Sequence, residues 1–570
     1  MSSILSKYIP AIEWLNPYKK DNLSGDLSAG LTVGVMLIPQ GMAYAMLAGL
    51  PPIHGLYAVT VPLLLYALFG SSRQLAVGPV AMVSLLAAAG IGALEPTGPE
   101  SYLLYAITLA FMVGAIQFVM GILRLGFVVN FLSHPVLSGF TSAAAIIIGL
   151  SQVKHLLKID LPRSEHAHEI IWAMFQNIGD LHWITFGLGV AGIIIIKFGK
   201  KIHARFPSPL VAVVVGIVVV SVFNLEESGV AVLGAVPSGL PGLSMPTFEA
   251  GAWSALLPVA LAISLVGFAE SFAVAKAIQN KHKDYQLKPN QELIGLGMAN
   301  FGAAFFQGYP VTGGFSRTAV NDQAGAKTGL ASIISAGLIV VTLLFLTGLF
   351  ENLPTSILAA VVLVAVSGLI DFKEPISLWK KDRTDFFMLL ATFAITLTMG
   401  IEIGIISGMV LSLIAVIQRA SKPHMARLGQ IPGTMVFRNI DRFQNLDVYD
   451  NKLIIRIDGS MYFANLEHIK SRLDTWVSES PKLEELIIDF SSVPHIDSSG
   501  AHALHDWIDD WQKSGISVSL CNMHGPVRDI LHVWKINEQV GVERCFLSLE
   551  QAVEGNNGQD LSPYALQNTH

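Results

Sequence analysis

The sequence predicts a polytopic α-helical membrane domain followed by a smaller soluble α/β domain. Of its 570 residues, 52% are hydrophobic and 14% are charged, whereas a soluble globular chain usually has about 25% charged residues. The charges are also unevenly distributed. From Phe437 to the end the chain has 20 acidic and 11 basic residues, while the preceding part has 22 and 25. We therefore expect the first part to lie in lipid and the second in water, with the boundary near residue 420.

Fourteen apolar segments are predicted to cross the membrane, in two consecutive sets of seven. A bilayer core of about 30 Å requires about 20 apolar residues per helix. An even number of spans places both chain termini on the same side of the membrane. The predicted spans are 27–46, 53–69, 76–94, 102–121, 131–153, 182–199, 208–223, 254–276, 291–308, 313–322, 328–350, 354–370, 384–400 and 402–419.

Basic residues mark one side of the predicted membrane domain. They concentrate at alternate ends of the spans, whereas the opposite ends are rich in Glu. Because Lys and Arg favour the cytoplasmic side, both termini are expected there, in a plasma membrane such as a bacterial inner membrane. The predicted inner basic residues include Lys7, Lys19, Lys20, Arg73, Arg205, Lys281, Lys288, Lys373, Lys380, Lys381 and Arg383, and the predicted outer acidic residues include Glu95, Glu100, Glu226, Glu227, Glu249 and Glu351.

Two predicted spans are interrupted in a matched way. Residues 76–84 begin with a Gly-Pro pair, and residues 310–318 are short and polar. Each segment is third in its set of seven, and paired interruptions of this kind indicate the binding site of an inverted-repeat transporter. We expect two half-helices with facing N-termini, whose free N–H groups and positive dipole ends attract an anion. Glycine used only for close helix packing is the alternative.

The first predicted span carries two polar side chains on one face. Gln40 and Tyr44 are four residues apart, so a helix places them on the same side. The preceding Pro39 interrupts the backbone hydrogen bonds of that helix. An amide donor and an aromatic edge suit a partly dehydrated anion. The alternative is that Gln40 only joins two helices by a hydrogen bond.

An acidic and a basic residue also lie inside predicted spans. An ionised carboxylate at Glu270 costs at least ~2.5 kcal/mol within a membrane, so it requires a partner or a proton. Arg317, in the second half-helix, is the comparable buried cation. We expect Arg317 to attract the anion and Glu270 to compete for Arg317 until it is protonated, which would couple proton entry to anion entry. A static salt bridge is the alternative.

The soluble part alternates strands with helices, which indicates an α/β domain. Strands are predicted at 453–459, 483–490 and 517–522, with a helix at 466–478. Residues 494–502 join a strand to a helix that Asp497 or Ser498 caps. The predicted domains are a cytoplasmic segment 1–25, a membrane anion-transport domain 26–420, a linker 421–436, a soluble cytoplasmic domain 437–555 and a flexible tail 556–570.

Several stretches of the membrane part resemble the sulfate permease (SulP) family, relatives of the prestin-type solute carriers. They are 39–57, Val-Gly-Pro-Val-Ala-Met-Val-Ser at 77–84, Gly-Phe-Ala-Glu-Ser at 267–271, Gly-Gly-Phe-Ser-Arg-Thr-Ala at 313–319, and 397–404. The resemblance implies a 7+7 inverted repeat with core and gate subdomains, elevator-like movement and a homodimer. It places the coupling carboxylate at Glu270, and the anion pocket at Gln40, Tyr44, Val80, Ala81, Phe315, Ser316 and Arg317.

The soluble part resembles the STAS fold, which anti-sigma-factor antagonists share. Their phosphorylated serine matches Ser498 in the sequence Asp-Ser-Ser-Gly. The resemblance therefore suggests a regulatory phosphorylation site and a regulatory protein partner. The alternative is that this serine only belongs to a helix cap.

The expected activity is secondary active transport of a small anion, with proton-coupled sulfate uptake favoured and sodium coupling disfavoured. Bicarbonate or C4-dicarboxylate symport, anion exchange, an anion channel and a membrane-tethered signalling scaffold are the alternatives. The sequence contains no G-x-x-x-x-G-K-[ST] phosphate-binding pattern, which argues against an ATP-driven pump. We expect no enzymatic activity, no cofactor, no metal and no nucleic-acid partner.

Overall fold

The chain divides into two compact units, one within Met1–Ser412 and one within Leu413–His570. The structure is a computed structural model that describes residues 9–127, 133–161, 166–202, 208–283 and 285–555. The predicted tail 556–570 and the basic residues Lys7 and Arg205 lie outside the described residues. Apolar helices form most of the first unit, whereas the second is built on a β-sheet.

The first half of the membrane unit contains ten helices and one two-residue strand among its described residues. The helices are α1 (Ile12–Leu15), α2 (Leu23–Leu47), α3 (Pro52–Tyr57), α4 (Val61–Phe69), α5 (Ala81–Gly92), α6 (Pro99–Ile122), α7 (His134–Leu157), α8 (Ala167–Asn177), α9 (Trp183–Ile202) and α10 (Ser208–Phe223), and the strand is β1 (Val77–Gly78).

The second half repeats this arrangement. Its elements are α11 (Ala250–His282), α12 (Pro289–Phe305), β2 (Thr312–Gly313), α13 (Phe315–Gln323), α14 (Leu330–Val341), α15 (Thr355–Ser367), α16 (Lys373–Lys381), α17 (Arg383–Met399) and α18 (Ile401–Ser421). Helix α14 continues as a π-helical turn at Thr342–Leu346 and a 3₁₀ turn at Thr347–Phe350.

Each predicted span contains a helix. Six helical segments in the described part of the chain are long and apolar enough to cross a membrane: Lys20–Leu47, Pro52–Phe69, Pro99–Ile122, His134–Leu157, Ala250–His282 and Leu330–Phe350. Five shorter apolar helices accompany them. The exact number of fourteen spans stays a prediction, since the shorter helices cross only part of a bilayer by length.

The membrane helices pack as two groups, which we call the core and the gate. In the core, α12 packs against α4 and α6, and α2 packs against α14. Glycines allow these helices to pack closely. For example, a Cβ at Gly114 of α6 would lie 3.0 Å from the carbonyl oxygen of Gly297 on α12. In the gate, α7 packs against α15 and α17, and α9 packs against α10 and α15.

Two fully buried carboxylates tie the core helices to the loops beside the interrupted segments. Glu292 of α12 accepts hydrogen bonds from the Tyr66 hydroxyl at 2.6 Å, the Ser71 amide and hydroxyl at 2.7 Å, and the Ser72 amide at 2.9 Å. These residues precede β1. Asp26 of α2 accepts from the Thr328 hydroxyl and amide at 2.6 and 2.9 Å, just after α13. Each half of the unit therefore fixes a loop of the other half.

The second unit contains a six-stranded sheet with the strand order β4-β3-β5-β6-β7-β8. Strands β5 to β8 are parallel, and β3 runs antiparallel to both of its neighbours. The strands are β3 (His424–Gln430), β4 (Phe437–Asn439), β5 (Lys452–Asp458), β6 (Glu485–Asp489), β7 (Ser517–Cys521) and β8 (Cys545–Phe546). The helices are α19 (Leu466–Ser478), α20 (Ser498–Lys513), α21 (Gly525–Val533), α22 (Ile536–Val540) and α23 (Leu549–Glu554).

The start of this sheet differs from the prediction. Residues 421–436, predicted as a linker, contain strand β3, which pairs with β5 from His424↔Asp458 to Arg427↔Ile455. The basic residues of this segment obscure a short strand whose Met425, Ala426 and Leu428 are buried. The predicted strands at 453–459, 483–490 and 517–522 correspond to β5, β6 and β7, and the predicted helix at 466–478 is α19.

Candidate functional site

A two-residue strand pair joins the two interrupted segments at the centre of the core. Strands β1 and β2 are antiparallel, with Val77 opposite Gly313 and Gly78 opposite Thr312. Helix α5 begins three residues after β1, and α13 begins two residues after β2. The N-termini of both helices therefore lie beside the strand pair. Each N-terminus presents backbone N–H groups without intrahelical partners and the positive end of a helix dipole.

Helix α11 holds β2 through its side chains. The Ser271 hydroxyl accepts a hydrogen bond from the Gly313 amide at 2.8 Å and lies 2.7 Å from the Thr312 hydroxyl. The Thr312 hydroxyl donates to the carbonyl oxygen of Gly267 at 2.7 Å. All of these groups are buried. This network fixes the position of α11 beside the interrupted segment.

Asn300 of α12 holds the residue before β2. Its amide oxygen accepts from the Val311 amide at 2.8 Å, and its amide nitrogen donates to the Val311 carbonyl oxygen at 3.0 Å. The same nitrogen lies 3.1 Å from the side-chain oxygen of Gln117 on α6. In a membrane the backbone amide and carbonyl of Val311 need hydrogen-bond partners within the protein. The side chain of Asn300 supplies both.

Arg317 lies in the first turn of α13 and is 2% exposed. Its Nη1 donates a hydrogen bond to the carbonyl oxygen of Pro79 at 2.6 Å, across the strand pair. Its Nε and Nη2 have no hydrogen-bond partner among the described residues. A buried guanidinium with two free N–H groups is a strong attractor for an oxyanion, since Arg presents its donors in a planar fork.

Gly314 leaves the space in which this guanidinium lies. A Cβ on Gly314 would lie 2.7 Å from Arg317 Nη2 and 2.8 Å from its Cζ. Gly78 is a second such position, because its φ is +158° and a Cβ there would lie 2.8 Å from Val59 Cγ1. The two glycines leave room for the arginine over the strand pair.

Helix α2 brings its two predicted site residues to the same region. Gln40 and Tyr44 are buried, and Tyr44 lies close enough to Arg317 and Glu270 for electrostatic interaction. The Gln40 Oε1 atom has no hydrogen-bond partner within the part of the chain that the structure describes. Rotation of the amide about its last torsion would present its NH₂ group instead.

The remaining pocket residues of the prediction lie at the two helix starts. Val80 and Ala81 are buried at the beginning of α5, whereas Phe315 and Ser316 are exposed at the beginning of α13. The seven predicted residues therefore lie on α2 and at the starts of α5 and α13, and the two helix starts meet at the strand pair. Phe315 and Ser316 are the two that are exposed.

Glu270 lies near Arg317 but is not bonded to it directly. Within the described ranges no ion pair joins Glu270 to Arg317, and the two charges interact only through space. The Glu270 Oε2 atom has no hydrogen-bond partner in those ranges. The Nη1 group of Arg317 is instead bonded to Pro79, and α11 contacts β2 through Ser271, the residue after Glu270.

Three residues of the site were not found from the sequence. Ser271 and Asn300 hold β2, and the Tyr309 hydroxyl lies 3.4 Å from the Ser84 hydroxyl of α5. Isolated amide and hydroxyl side chains in apolar helices are the sequence signal for such positions. The partners of Ser271 and Tyr309 are 42 and 225 residues away in the chain, so the sequence alone does not show what these residues bind.

In the second unit, Asp497 is the cap of α20. Its carboxylate accepts hydrogen bonds from the Gly500 amide at 2.7 Å and from the Phe463 amide at 3.1 Å. Of the two predicted capping residues, Asp497 is therefore the one that caps. Ser498 is the first residue of α20 and is exposed.

The fold and the site define a class of protein before any comparison is made. Apolar helices in two sets, interrupted at matched places beside a buried arginine, are typical of a secondary membrane transporter. Comparison with known families then identifies the particular group. The model of the Sulfate permease family matches residues 23–392, and the model of the STAS domain matches residues 443–552. The chain therefore belongs to the sulfate permease family, whose members are transporters and not enzymes.

Individual relatives support this assignment. The chain is 40% identical over 565 residues to "Sulfate transporter 4.1, chloroplastic" of Arabidopsis thaliana, covering 96% of this chain and 82% of the relative. The fold matches the murine Solute Carrier 26 family member A9 anion transporter, solved in the inward-facing state, with a TM-score of 0.90, 25% identity and coverage of 97% and 94%. The transmembrane domain of the cyanobacterium bicarbonate transporter BicA has the same fold, with a TM-score of 0.60, 24% identity and coverage of 69% and 98%.

The glycine beside Arg317 gives a direct test of the site. We expect Gly314→Ala to reduce uptake of the transported anion in proteoliposomes at least tenfold, because the new methyl group displaces the guanidinium and small misplacements of a binding group are costly. Gly337→Ala is the matched control, since a Cβ at Gly337 would have no described residue within 4 Å. Equal uptake by the two variants would contradict the assigned position of Arg317.

Proposed function

We propose that this chain takes up sulfate by secondary active transport coupled to protons. The observation that carries the proposal is the buried Arg317, with two N–H groups free among the described residues, beside two helix N-termini. Together these groups supply several N–H donors and net positive potential at one point. A tetrahedral oxyanion accepts hydrogen bonds on every side, so it fits donors that converge from α5 and α13.

The choice of sulfate is supported by the relatives. Both the family description and the plant relative name sulfate. The likeness to a bicarbonate transporter concerns the fold alone, at 24% identity. Bicarbonate or C4-dicarboxylate transport is the second candidate, because the same donors accept any small oxyanion. Anion exchange and passive conduction of an anion are alternative transport modes for a protein of this fold.

Substrate choice is tested by competition. In proteoliposomes we expect uptake of radiolabelled sulfate to be inhibited by excess unlabelled sulfate and only weakly by bicarbonate, succinate or fumarate. The measurement is made at two external pH values, and uptake should be faster at the more acidic one. Stronger inhibition by bicarbonate or by a dicarboxylate than by sulfate would assign the site to that anion instead.

Glu270 is proposed to carry the coupling proton. Its carboxylate lies in α11 directly before Ser271, which holds β2, and it interacts with Arg317 through space. When ionised, it competes with the substrate for the positive potential of Arg317. When protonated, it leaves Arg317 free to bind the anion. The absence of a direct pair in the described ranges fits a competition that alternates with substrate binding.

The Glu270→Gln variant tests this role. We expect it to lose accumulation of sulfate driven by a pH gradient and to retain exchange of sulfate for sulfate, because a neutral amide has no proton to carry. The control is Glu249→Gln, which removes an exposed carboxylate at the start of the same helix. Gradient-driven accumulation by Glu270→Gln at the rate of the control would rule out the proposed coupling.

An elevator-type movement is proposed for the transport step. The site lies on α2, α5, α11 and α13, which pack against one another and belong to the core, so movement of the core against the gate would carry it across the membrane. Residues 224–249 connect gate to core and are bonded to both. The Leu233 amide donates to the Leu353 carbonyl oxygen at 2.9 Å, and the Ser244 amide donates to the Phe305 carbonyl oxygen at 2.9 Å. Likeness to an inward-facing structure supports an inward-open state here.

Assembly and orientation are proposed from the same reasoning. We propose a homodimer held by the gate, since a stationary partner is what an elevator movement requires. Both termini are placed in the cytoplasm because the basic ends of the helices are expected there. The second unit would then be cytoplasmic and available to a regulatory protein. The membrane in which the chain resides is proposed to be a plasma membrane, such as that of a bacterium.

Ser498 is proposed as a regulatory phosphorylation site. It is exposed at the first position of α20, where a phosphate group would meet the positive end of the helix dipole. Mass spectrometry of the protein purified from its native source should find phosphate on Ser498 under at least one growth condition. Complete coverage of this peptide without phosphate, under sulfate-replete and sulfate-starved growth, would leave Ser498 with no regulatory role.

A further inference from the structure

Two short helices occupy matching places in the two halves of the membrane unit. Helix α8 lies between α7 and α9, and α16 lies between α15 and α17. In each set of seven predicted spans this place is the connection between the fifth and the sixth span. Neither helix is long enough to cross a membrane. Neither belongs to the site described above.

Helix α16 presents an apolar face whose side chains are at least half exposed among the described residues. Phe372, Ile376 and Trp379 follow one another at spacings of four and three residues, which places them on one side of a helix. Their side chains are 75%, 62% and 50% exposed. The face continues onto α17 at Phe387, which is 56% exposed. Four large apolar side chains in one patch indicate contact with a partner or with lipid.

Cationic side chains border this face. Lys373 and Lys380 are exposed and seven residues apart, so they lie in one row beside the apolar residues. The Arg383 guanidinium lies 5.3 Å from the centre of the Trp379 ring. A cationic row beside an aromatic face is the composition of an interfacial helix, in which long basic side chains reach toward headgroups.

The neighbouring carboxylates of Asp371, Glu374 and Asp382 make other contacts. Asp371 accepts from the backbone amides of Lys373 and Glu374 at 2.8 and 3.1 Å. The Glu374 carboxylate lies 3.3 Å from the His134 ring of α7. The Asp382 carboxylate caps α17 by accepting from the Thr384 and Asp385 amides at 3.0 and 3.2 Å. The basic row therefore remains available for an outside anionic group.

Helix α8 differs from α16 in charge and not in shape. Its Ile171, Trp172 and Phe175 are exposed, but residues Ala167–Asn177 include no Lys or Arg. The predicted sidedness places α8 at the outer face and α16 at the cytoplasmic face. Anionic lipids are concentrated in the cytoplasmic leaflet. The charge difference between the two helices thus follows the charge difference between the two leaflets.

We propose that α16 lies in the cytoplasmic leaflet and binds the phosphate of an anionic phospholipid through Lys373 and Lys380. The apolar face enters the acyl region beside it, which selects a lipid over free phosphate. Helix α8 occupies the opposite leaflet without preference for a headgroup. Through Trp379, whose ring centre is 4.9 Å from that of Phe386 on α17, lipid bound at α16 is linked to the gate helices.

Native mass spectrometry of the full-length chain in detergent tests this site. The chain is titrated with phosphatidylglycerol and, separately, with phosphatidylcholine. We expect the K373Q/K380Q variant to bind its tightest phosphatidylglycerol roughly 30-fold more weakly, because each lysine near an anionic headgroup contributes about a factor of five. Binding of phosphatidylcholine should not change. The matched control is K482Q/K513Q, which removes two exposed lysines of the second unit.

A second measurement reports on the apolar face itself. Bimane attached at I376C, on a C521S/C545S background in nanodiscs, should be quenched more by brominated phosphatidylglycerol than by brominated phosphatidylcholine. Equal phosphatidylglycerol affinity of K373Q/K380Q and its control would overturn the proposal. So would a bimane that no brominated lipid quenches, since the face would then be covered by protein. Neither measurement uses transport, so failure of the sulfate assignment would not affect the result.

Discussion

The antiparallel pairing of β1 with β2 is the contact on which the rest of the membrane unit depends. Each strand has only two residues, yet the pair lies where backbone polar groups have no water to bind. Each strand satisfies the other, and Ser271 and Asn300 complete the set from two core helices. Helices α5 and α13 both begin at the strand pair. The pair therefore determines where their free N–H groups and the positive ends of their dipoles meet.

The strand pair also explains the burial of Arg317. The guanidinium reaches across it to Pro79, and Gly314 leaves the space in which it lies. The two carboxylates Glu292 and Glu270 of the core helices have different roles, according to their hydrogen bonds. Glu292 is satisfied by four donors and holds a loop. Glu270 has an oxygen without a partner among the described residues, close to the arginine. A fully bonded carboxylate is suited to structure, whereas an incompletely bonded one remains able to exchange a proton.

The interrupted segments could be predicted because Gly-Pro and Gly-Gly pairs are visible in an otherwise apolar sequence. The strand pair could not, because two residues have no periodicity to detect. The contacts of Asn300 with Gln117 and of Glu292 with Ser71 could not be predicted either, since each depends on how helices distant in the sequence pack. The bond of Arg317 to the Pro79 carbonyl oxygen could not be predicted either, because a backbone partner leaves no signal in the sequence. Strand β3 was hidden because His424 and Arg427 interrupt its buried residues, which come in pairs and do not alternate.

The free donors of Arg317 also connect anion binding to folding. A buried donor without a partner costs about 1–3 kcal/mol, and more when it is charged. An anion that accepts from those donors removes this cost only in the folded protein, so it stabilises the native state by mass action. The concentration of the transported anion therefore acts on the lifetime of the protein in its membrane as well as on its turnover. Starvation for the substrate and loss of the carrier would then be thermodynamically linked.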